Sequence, residues 1–367
     1  MINLPRIHAE YEVELTKAIN DVVQSGNYIG GPVIEEFQGN LSTFLDSPVC
    51  GVGNGTDALL IALMALGIGP GDEVIVPAFT YAASAEVIGL LGARAIWCDV
   101  DPQTFCATAE TIQHRITPDT KAIIAVHLYG QCAPIEQIEN IAGGIPIVED
   151  TAQAFGAKFL SGKYAGRYAG TVGAFGTFSF FPTKSLGAMG DGGAIASSHS
   201  DLFEKASMIA KHGQSKKYVH TVIGVNSRLD PIQAAVLNVK LKYFEKSVAR
   251  KQAIADNYFE RLSGEKMLVL PYVSKDSSHV WHQFTVKIPE VRRDLLQEFL
   301  QHRGISSIIY YPMTLADQEA YKHFDQEAAI PNSRALSQTV LSIPIDESLS
   351  IDEQMVIIHS IKSFFIL

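Results

Sequence analysis

The sequence has few cysteines, and they are widely spaced. Cys50, Cys98, Cys106 and Cys132 are the four among 367 residues, and they form neither a CxxC motif nor a spacing typical of metal ligands. Structural zinc sites and disulfide frameworks depend on such spacings. We therefore expect reduced thiols in a cytoplasmic protein, with no structural metal.

The sequence also lacks an excess of basic residues and a long apolar run. Lys and Arg number 29 against 39 Asp and Glu, which gives a formal net charge of −10. Nucleic-acid binding normally requires a basic surface, so we do not expect a nucleic-acid partner. Residues 1–10 lack the pattern of a signal peptide, and no later stretch is apolar over the length of a membrane span. We expect no membrane contact.

What the sequence does contain is enough apolar residues, 47%, to bury a large core. Short apolar, β-branched runs alternate with helical patterns in the first half of the chain. These runs are Val74–Val76, Ala93–Cys98, Ala122–His127 and Ile145–Val148. Such alternation predicts the α/β fold class, with a mostly parallel sheet covered by helices.

The pattern of charged and apolar residues changes in the C-terminal part of the chain. After residue 235 a charged amphipathic helix is followed by separate predicted strands at Val280–Ile288 and Ser306–Tyr311. Changes of this kind mark domain boundaries. We therefore predict a large domain at 1–240 and a smaller C-terminal α/β domain at 241–367.

One lysine follows a predicted strand, Ala174–Phe181, and precedes a glycine-rich turn. This order places the amine of Lys184 at a strand end, as Schiff-base formation with a cofactor aldehyde requires. The apolar neighbours Phe180, Phe181 and Met189 would lower the pKa of the amine and make it a better nucleophile. A solvated surface lysine is the alternative explanation for Lys184 taken alone.

An acidic residue ends an earlier apolar strand. Ligands of open α/β sheets bind at the carboxyl ends of strands, where Asp150 is expected to lie. A carboxylate there can keep the pyridine nitrogen of pyridoxal phosphate (PLP) protonated, so that the ring withdraws electrons. Gln153 can hydrogen-bond the phenolic oxygen of the same ring. For Asp150 alone, an N-cap of the next helix is an equally good explanation.

Further residues complete the predicted cofactor site. Gly55 and Thr56 open a predicted helix, residues 56–66, whose free N–H groups and dipole favour a phosphate. Ser179 offers a second phosphate contact from the strand before Lys184. Tyr81 offers a ring to stack on a flat cofactor, although core packing would also explain it. In this order along the chain, the residues predict a PLP site with Lys184 as its attachment point.

These motifs resemble the sugar aminotransferases of the DegT/DnrJ/EryC1/StrS family, which are fold type I PLP enzymes related to aspartate aminotransferase. The resemblance covers nearly the whole chain, through residues 25–32, 71–77, 149–153 and 341–344. It implies a large domain with a mostly parallel seven-stranded sheet and a smaller C-terminal domain. It also implies transfer of an amino group from L-glutamate to a nucleotide-linked keto sugar, in a homodimer with shared active sites.

Within the family, residues 180–184, 211–214 and 224–230 look closest to the aminotransferases that act on UDP-2-acetamido-2-deoxy-3-oxo-D-glucuronate. Those enzymes serve bacterial surface polysaccharide pathways, such as lipopolysaccharide and O-antigen synthesis. The likeness implies that Asn226 reaches the cofactor phosphate of the neighbouring subunit and that Arg228 faces the sugar carboxylate. An interface salt bridge explains Arg228 equally well.

The resemblance also places Tyr28, Ile29, Tyr310 and Tyr311 at the substrate. Many relatives have His-Tyr-Pro where this chain has Tyr310-Tyr311-Pro312. A tyrosine cannot carry positive charge toward an acidic sugar, which weakens the uronate assignment.

Three alternatives stay open. The first is a different substrate, a neutral dTDP-linked 3-keto or 4-keto deoxyhexose, which has no carboxylate for Arg228 to bind. A PLP-dependent sugar dehydratase of the same family is a second reading, but it typically has histidine in place of Lys184. The third is a regulatory protein that binds PLP without turnover.

Overall fold

The main element of the protein is a seven-stranded sheet with strand order β1-β7-β6-β5-β4-β2-β3. The computed structural model describes residues 2–325 and 328–366. β7 runs antiparallel to both of its neighbours, and the other four neighbouring pairs are parallel. The strands are β1 (Val49–Val52), β2 (Glu73–Pro77), β3 (Arg94–Cys98), β4 (Thr120–Val126), β5 (Ile147–Asp150), β6 (Phe175–Ser179) and β7 (Gly193–Ala196). The predicted α/β class with a mostly parallel sheet is confirmed.

Helices cover this sheet, which explains why most residues of its strands are buried. All five residues of β2 and all four of β5 are buried. The helices of the first 262 residues are α1 (Leu4–His8), α2 (Glu12–Ser25), α3 (Pro32–Leu45), α4 (Gly55–Leu66), α5 (Ala83–Leu90), α6 (Ala109–Gln113), α7 (Ile135–Ala142), α8 (Ser200–Ile209) and α9 (Pro231–Leu262). A small exposed hairpin, β8 (Gln214–Lys216) and β9 (Val219–His220), follows α8.

The C-terminal part has a core of its own. It consists of α10 (Glu290–His302), α11 (Pro331–Thr339), α12 (Ile351–Ile366) and the antiparallel pair β10 (Phe284–Lys287) and β11 (Val340–Ile343). A cluster of buried side chains there includes Trp281, Phe284 and Ile358, and the end of α9 contributes Tyr258. Helix α9 runs through position 240 without a break. The division at residue 240 stays a prediction.

The strand predictions for the large sheet are confirmed, with ends displaced by at most two residues. The C-terminal predictions fared less well. The predicted strand Val280–Ile288 is reduced to the four residues of β10. The predicted strand Ser306–Tyr311 is wrong, since only Ile308 forms an isolated bridge, to Ser342. The two tyrosines at the end of this segment instead hydrogen-bond to Tyr129 and Gln153, as described below.

Two features bear on the expectations from composition. The four cysteines are buried, unpaired thiols, and burial raises the pKa of each of them. In the described part of the chain, no helix combines the length and the apolar character needed to cross a membrane.

Candidate active site

The carboxyl ends of β5 and β6 bring Lys184 and Asp150 together, the two residues on which the sequence prediction depended most. Asp150 is the last residue of β5, and Ser179 is the last residue of the parallel neighbour β6. Residues 181–189 then form a turn, here called the Lys184 turn. The backbone N–H of Lys184 donates to the carbonyl of Phe181 at 2.8 Å. Lys184 and Asp150 are close enough for their charges to interact.

The surroundings of Lys184 favour its neutral form. Burial lowers the pKa of the Lys184 amine to about 8, and the negative charge of Asp150 offsets part of this decrease. The neighbours predicted to shield it differ in their roles. Phe180 is fully buried, but Phe181 is 50% exposed and Met189 is 38% exposed. Because half of Phe181 and more than a third of Met189 are exposed, their share in shielding the amine stays a prediction.

The pKa of Lys184 leads to a testable prediction for the cofactor-free protein. Acylation of Lys184 by an amine-reactive reagent should rise with pH through a midpoint near 8, rather than near the usual 10.5. At pH 7.5 the neutral fraction of the amine would then be roughly two hundred times that of an ordinary lysine. Peptide mass spectrometry after brief labelling measures this midpoint. Exposed Lys121 serves as the internal control, and equal midpoints at the two lysines would contradict the prediction.

The Asp150 carboxylate is held by two donors. Its Oδ2 accepts from the Ser84 hydroxyl at 2.7 Å, and its Oδ1 accepts from the backbone N–H of Ala152 at 3.1 Å. Residues 152–156 form turns, so Asp150 does not cap a helix and that alternative is removed. Sequence reasoning missed Ser84, which is fully buried in α5. A polar residue in an otherwise apolar helix start was the available signal.

Gln153 links two tyrosines from distant parts of the chain. Its Oε1 accepts from the backbone N–H of Tyr129, and its Nε2 donates to the hydroxyl of Tyr311, both at 2.9 Å. Tyr129 has a left-handed backbone (φ +59°), a conformation that a non-glycine residue adopts only when its surroundings hold it there. The Tyr129 hydroxyl donates to the carbonyl of Tyr310. These bonds tie the segment before Pro312 to the carboxyl edge of the sheet.

Aromatic rings form one wall of the site. Tyr81 is 61% exposed, so core packing does not explain it. Its ring centroid lies 6.3 Å from that of Tyr311, which in turn lies 6.0 Å from Phe79. Burial raises the pKa of the Tyr311 hydroxyl and keeps it protonated. The wall therefore presents an open ring, that of Tyr81, next to a neutral hydroxyl.

The N-terminus of α4 meets the end of β6. The side chain of Asn54 accepts from the N–H of Asp57 at 2.8 Å and caps the helix. The first N–H groups of a helix, here those of Gly55 and Thr56, have no partner within the helix. A Cβ atom on Gly55 would lie 2.7 Å from the Cβ of Ser179, too close for any side chain. Glycine is thus required here, and it brings the predicted phosphate contacts together.

A loop before α9 is attached to the same helix start. The Ser227 hydroxyl donates to the Asp57 carboxylate at 2.6 Å and accepts from the N–H of Gly53 at 2.9 Å. Its neighbours Asn226 and Arg228 are exposed and partly exposed, respectively. Sequence reasoning did not identify Ser227, whose role depends on a contact across 170 residues.

Tyr28 and Ile29 lie elsewhere on the surface, between α2 and α3. They are 50% and 65% exposed, and the Tyr28 hydroxyl donates to the carbonyl of Val23 at 3.2 Å. Within residues 2–325 and 328–366, no hydrogen bond or ring contact joins either side chain to Lys184 or Asp150. The placement of Tyr28 and Ile29 at the substrate stays a prediction.

A buried, hydrogen-bonded pair of side chains next to Asp150 was also missed. Glu149 points to the opposite face of β5 and lies 2.9 Å from Nε2 of His127, with both side chains fully buried. Nδ1 of His127 accepts from the N–H of Ala133, so Nε2 carries the proton and donates to Glu149. Burial raises the pKa of Glu149, but the hydrogen bonds from His127 and the N–H groups of Gly170 and Gly173 keep that pKa below its usual value. This network fixes the strand end that presents Asp150.

A lysine, a carboxylate and a helix N-terminus at one sheet edge define the class of α/β enzymes that use PLP. A model of the DegT/DnrJ/EryC1/StrS aminotransferase family matches residues 10–362, and the chain belongs to that family. The resemblance in the sequence motifs is thereby confirmed.

Three similar proteins span nearly the whole chain. A Pseudomonas aeruginosa UDP-2-acetamido-2-deoxy-3-oxo-D-glucuronate aminotransferase is 40% identical over 94% of this chain and 94% of its own. A Geobacillus stearothermophilus protein named pleiotropic regulatory protein is 37% identical over 100% and 98%. A Streptomyces venezuelae dTDP-3-amino-3,4,6-trideoxy-alpha-D-glucose transaminase is 37% identical over 99% and 95%.

Solved structures agree with this placement. The crystal structure of Streptomyces venezuelae DesV in complex with a ketimine intermediate matches with a TM-score of 0.94, at 36% identity over 99% of this chain and 97% of that chain. Bacillus subtilis NtdA, with bound pyridoxamine phosphate (PMP), matches with a TM-score of 0.89, at 29% identity over 100% and 83%. The chain is a PLP-dependent sugar aminotransferase, and PLP is its cofactor.

Proposed function

We propose that this enzyme transfers an amino group from L-glutamate to C3 of UDP-2-acetamido-2-deoxy-3-oxo-D-glucuronate. The product would serve the synthesis of a bacterial surface polysaccharide such as lipopolysaccharide, in the cytoplasm. The observation that carries the substrate proposal is Arg228, on a loop attached to α4 through Ser227. The similar Pseudomonas aeruginosa enzyme, named for this substrate, supports it.

The residues of the site fit PLP, and we propose specific roles for them. The N–H groups of Gly55 and Thr56 and the hydroxyl of Ser179 bind the phosphate, since they converge where α4 meets β6. Tyr81 stacks on the ring. Gln153 donates its second Nε2 hydrogen to the phenolic oxygen of the ring, because Tyr311 takes only one of the two.

The chemistry depends on a base and a fixed charge. PLP supplies a carbonyl that binds amines and a ring that accepts the electrons released when a proton leaves the substrate carbon. Asp150, oriented by Ser84, keeps the ring nitrogen protonated. Lys184 would hold the cofactor covalently, and its amine would move the proton during transfer. A pKa near 8 leaves a useful neutral fraction of that amine at physiological pH.

The sugar would bind between the aromatic wall and residues of a second subunit. We propose that Tyr310 and Tyr311 contact it from the same chain. Asn226 would reach the cofactor phosphate of the partner in a homodimer, with Arg228 and the segment of Tyr28 and Ile29 beside the sugar. Their exposure in a single chain fits a role that is completed by dimerisation.

Substrate preference provides the decisive test of this proposal. Arg228→Met should raise KM for the 3-keto uronate by about 10- to 100-fold, because a bidentate bond to a carboxylate is lost. KM for a neutral 3-keto sugar should change little. Production of 2-oxoglutarate from glutamate measures both. A wild-type preference for the neutral sugar, or equal losses on both sugars, would contradict the uronate assignment.

A neutral dTDP-linked keto deoxyhexose is the second candidate substrate. Tyr310 favours it, because a tyrosine replaces the cationic residue that an acidic sugar would attract. The name of the Streptomyces venezuelae relative points the same way. Comparing the same two substrates separates these candidates. If the protein bound PLP but formed no 2-oxoglutarate, the result would favour a regulatory role, as the name of the Geobacillus relative suggests.

A further inference from the structure

Lys240, on α9, lies directly behind the Lys184 turn. We propose that Lys240 is a positioning residue, which holds the backbone of this turn so that the Lys184 amine faces the cofactor. The inference rests on the proposed role of Lys184 as the attachment point. It adds a residue that neither the cofactor contacts nor the substrate contacts described above include.

The Lys184 turn is tight, and its carbonyl groups are constrained. A Cβ atom on Gly187 would lie 2.3 Å from the carbonyl oxygen of Pro182, so this position requires glycine. The N–H of Ala188 donates back to the carbonyl of Phe180 at 2.7 Å. The carbonyl of Gly187 points toward α9, where Nζ of Lys240 donates to it at 2.5 Å.

A second side chain of α9 holds the same turn. Oε1 of Gln233 accepts from the N–H of Met189 at 2.9 Å. Gln233 and Lys240 are seven residues apart, or two helical turns, so they project from one face of α9. One rigid helix therefore fixes two consecutive peptide groups at the C-terminal half of the turn.

Packing alone does not fix the turn on this side. A cavity of about 50 Å³ lies between the turn, the N-terminal segment and α9, and both Lys184 and Lys240 line it. Leu186 and Ala188 of the turn pack into a buried apolar cluster, but beside this void such contacts are missing, and there the hydrogen bond from Lys240 restrains the Gly187 carbonyl.

Burial of Lys240 is costly, which sets it apart from the exposed Lys242 on the same helix. Lys240 is only 9% exposed, and burial lowers its pKa to about 8, with Glu347 offsetting part of the decrease. Lys242 is exposed and lies 3.4 Å from Glu14 at the surface. A buried amine needs a specific partner to balance its lost hydration, and the Gly187 carbonyl is that partner.

Positioning matters here because Lys184 must reach a fixed point. Asp150 and Ser179 are fixed by the sheet, whereas Lys184 extends from a turn outside it. A displacement of about 1 Å from the productive geometry can cost roughly a hundredfold in rate. Loss of the Lys240 contact should therefore affect the reaction of the Lys184 amine without affecting the sites fixed by the sheet.

The test compares Lys240→Met with Lys242→Met, a matched change at an exposed position. Apoprotein is mixed with PLP, and covalent attachment to Lys184 is followed by absorbance and by borohydride labelling. PMP, which has no aldehyde, reports on the non-covalent site alone. We expect Lys240→Met to slow attachment by about 10- to 100-fold while the affinity for PMP stays within about twofold. Lys242→Met should match wild type in both.

Two further variants keep the test decisive. Lys240→Arg retains a donor and should recover most of the attachment rate. If Lys240→Met does not fold, Gln233→Leu should slow attachment in the same selective way. Attachment at the wild-type rate in Lys240→Met, or equal losses of attachment rate and PMP affinity, would overturn the inference. The test uses neither sugar nor amino donor, so it does not depend on the substrate assignment. If wild-type protein carried no borohydride label on Lys184, the proposed function itself would be rejected.

Discussion

Lys184→Ala should lower kcat for transamination by about 10⁴-fold, because one substitution removes both the covalent attachment point and the base that moves the proton. Labelling of the protein by borohydride in the presence of PLP should be abolished, since no other lysine is expected at the cofactor. Non-covalent binding should survive, because the phosphate contacts proposed at Gly55 and Ser179 are untouched. Steady-state formation of 2-oxoglutarate and mass mapping of the labelled peptide measure the two effects.

Lys121→Ala is a suitable control for this variant. Lys121 is exposed near the start of β4, at the opposite edge of the sheet from Lys184. A surface substitution of this kind should leave kcat within about twofold of wild type. Full transamination by Lys184→Ala, or borohydride label on a different lysine, would show that the role assigned to Lys184 is wrong.

Asp150→Ala should lower kcat by about 10²- to 10⁴-fold while some cofactor remains bound. The carboxylate stabilises the protonated ring, so its removal weakens the electron withdrawal that proton transfer requires. It also leaves the Ser84 hydroxyl without its partner at 2.7 Å. Half-reaction kinetics with the amino donor would locate the loss in the proton-transfer step.

Two variants separate charge from structure in this experiment. Asp150→Asn keeps the size of the side chain and can still accept from Ser84, but it has no charge, so its kcat should fall nearly as far as that of Asp150→Ala. Asp119→Ala, an exposed change just before β4, should behave as wild type. If Asp150→Asn retained wild-type kcat, the charge of Asp150 would have no part in the reaction.

The proposed roles of Lys184 and Asp150 also predict what happens when the residues that support them are changed. Glu149 and His127 fix the end of β5 from the face opposite Asp150, and Lys240 fixes the Lys184 turn from α9. The two reacting groups thus have separate supports. Damage to one support should affect one group, which is why rate and binding measurements together identify the cause.

The sequence by itself determined the local chemistry and most of the large sheet. The run Val74–Val76 of β2 was recognisable because a strand buried on both faces is mostly apolar. Asp150 was recognisable because it ends an apolar strand, and Lys184 because it comes shortly after another. The carboxyl ends of parallel strands share one edge of the sheet. Gly55 was recognisable as a helix start.

Only the tertiary structure decided which distant residues support that chemistry. Ser84 meets Asp150 across 66 residues, Gln153 meets Tyr311 across 158, and Lys240 meets Gly187 across 53. A buried hydrogen bond depends on the positions of both partners, and no local pattern encodes the second one. For the same reason the predicted strand ending at Tyr311 failed: bonds to the large domain, rather than its own β-propensity, set the backbone there.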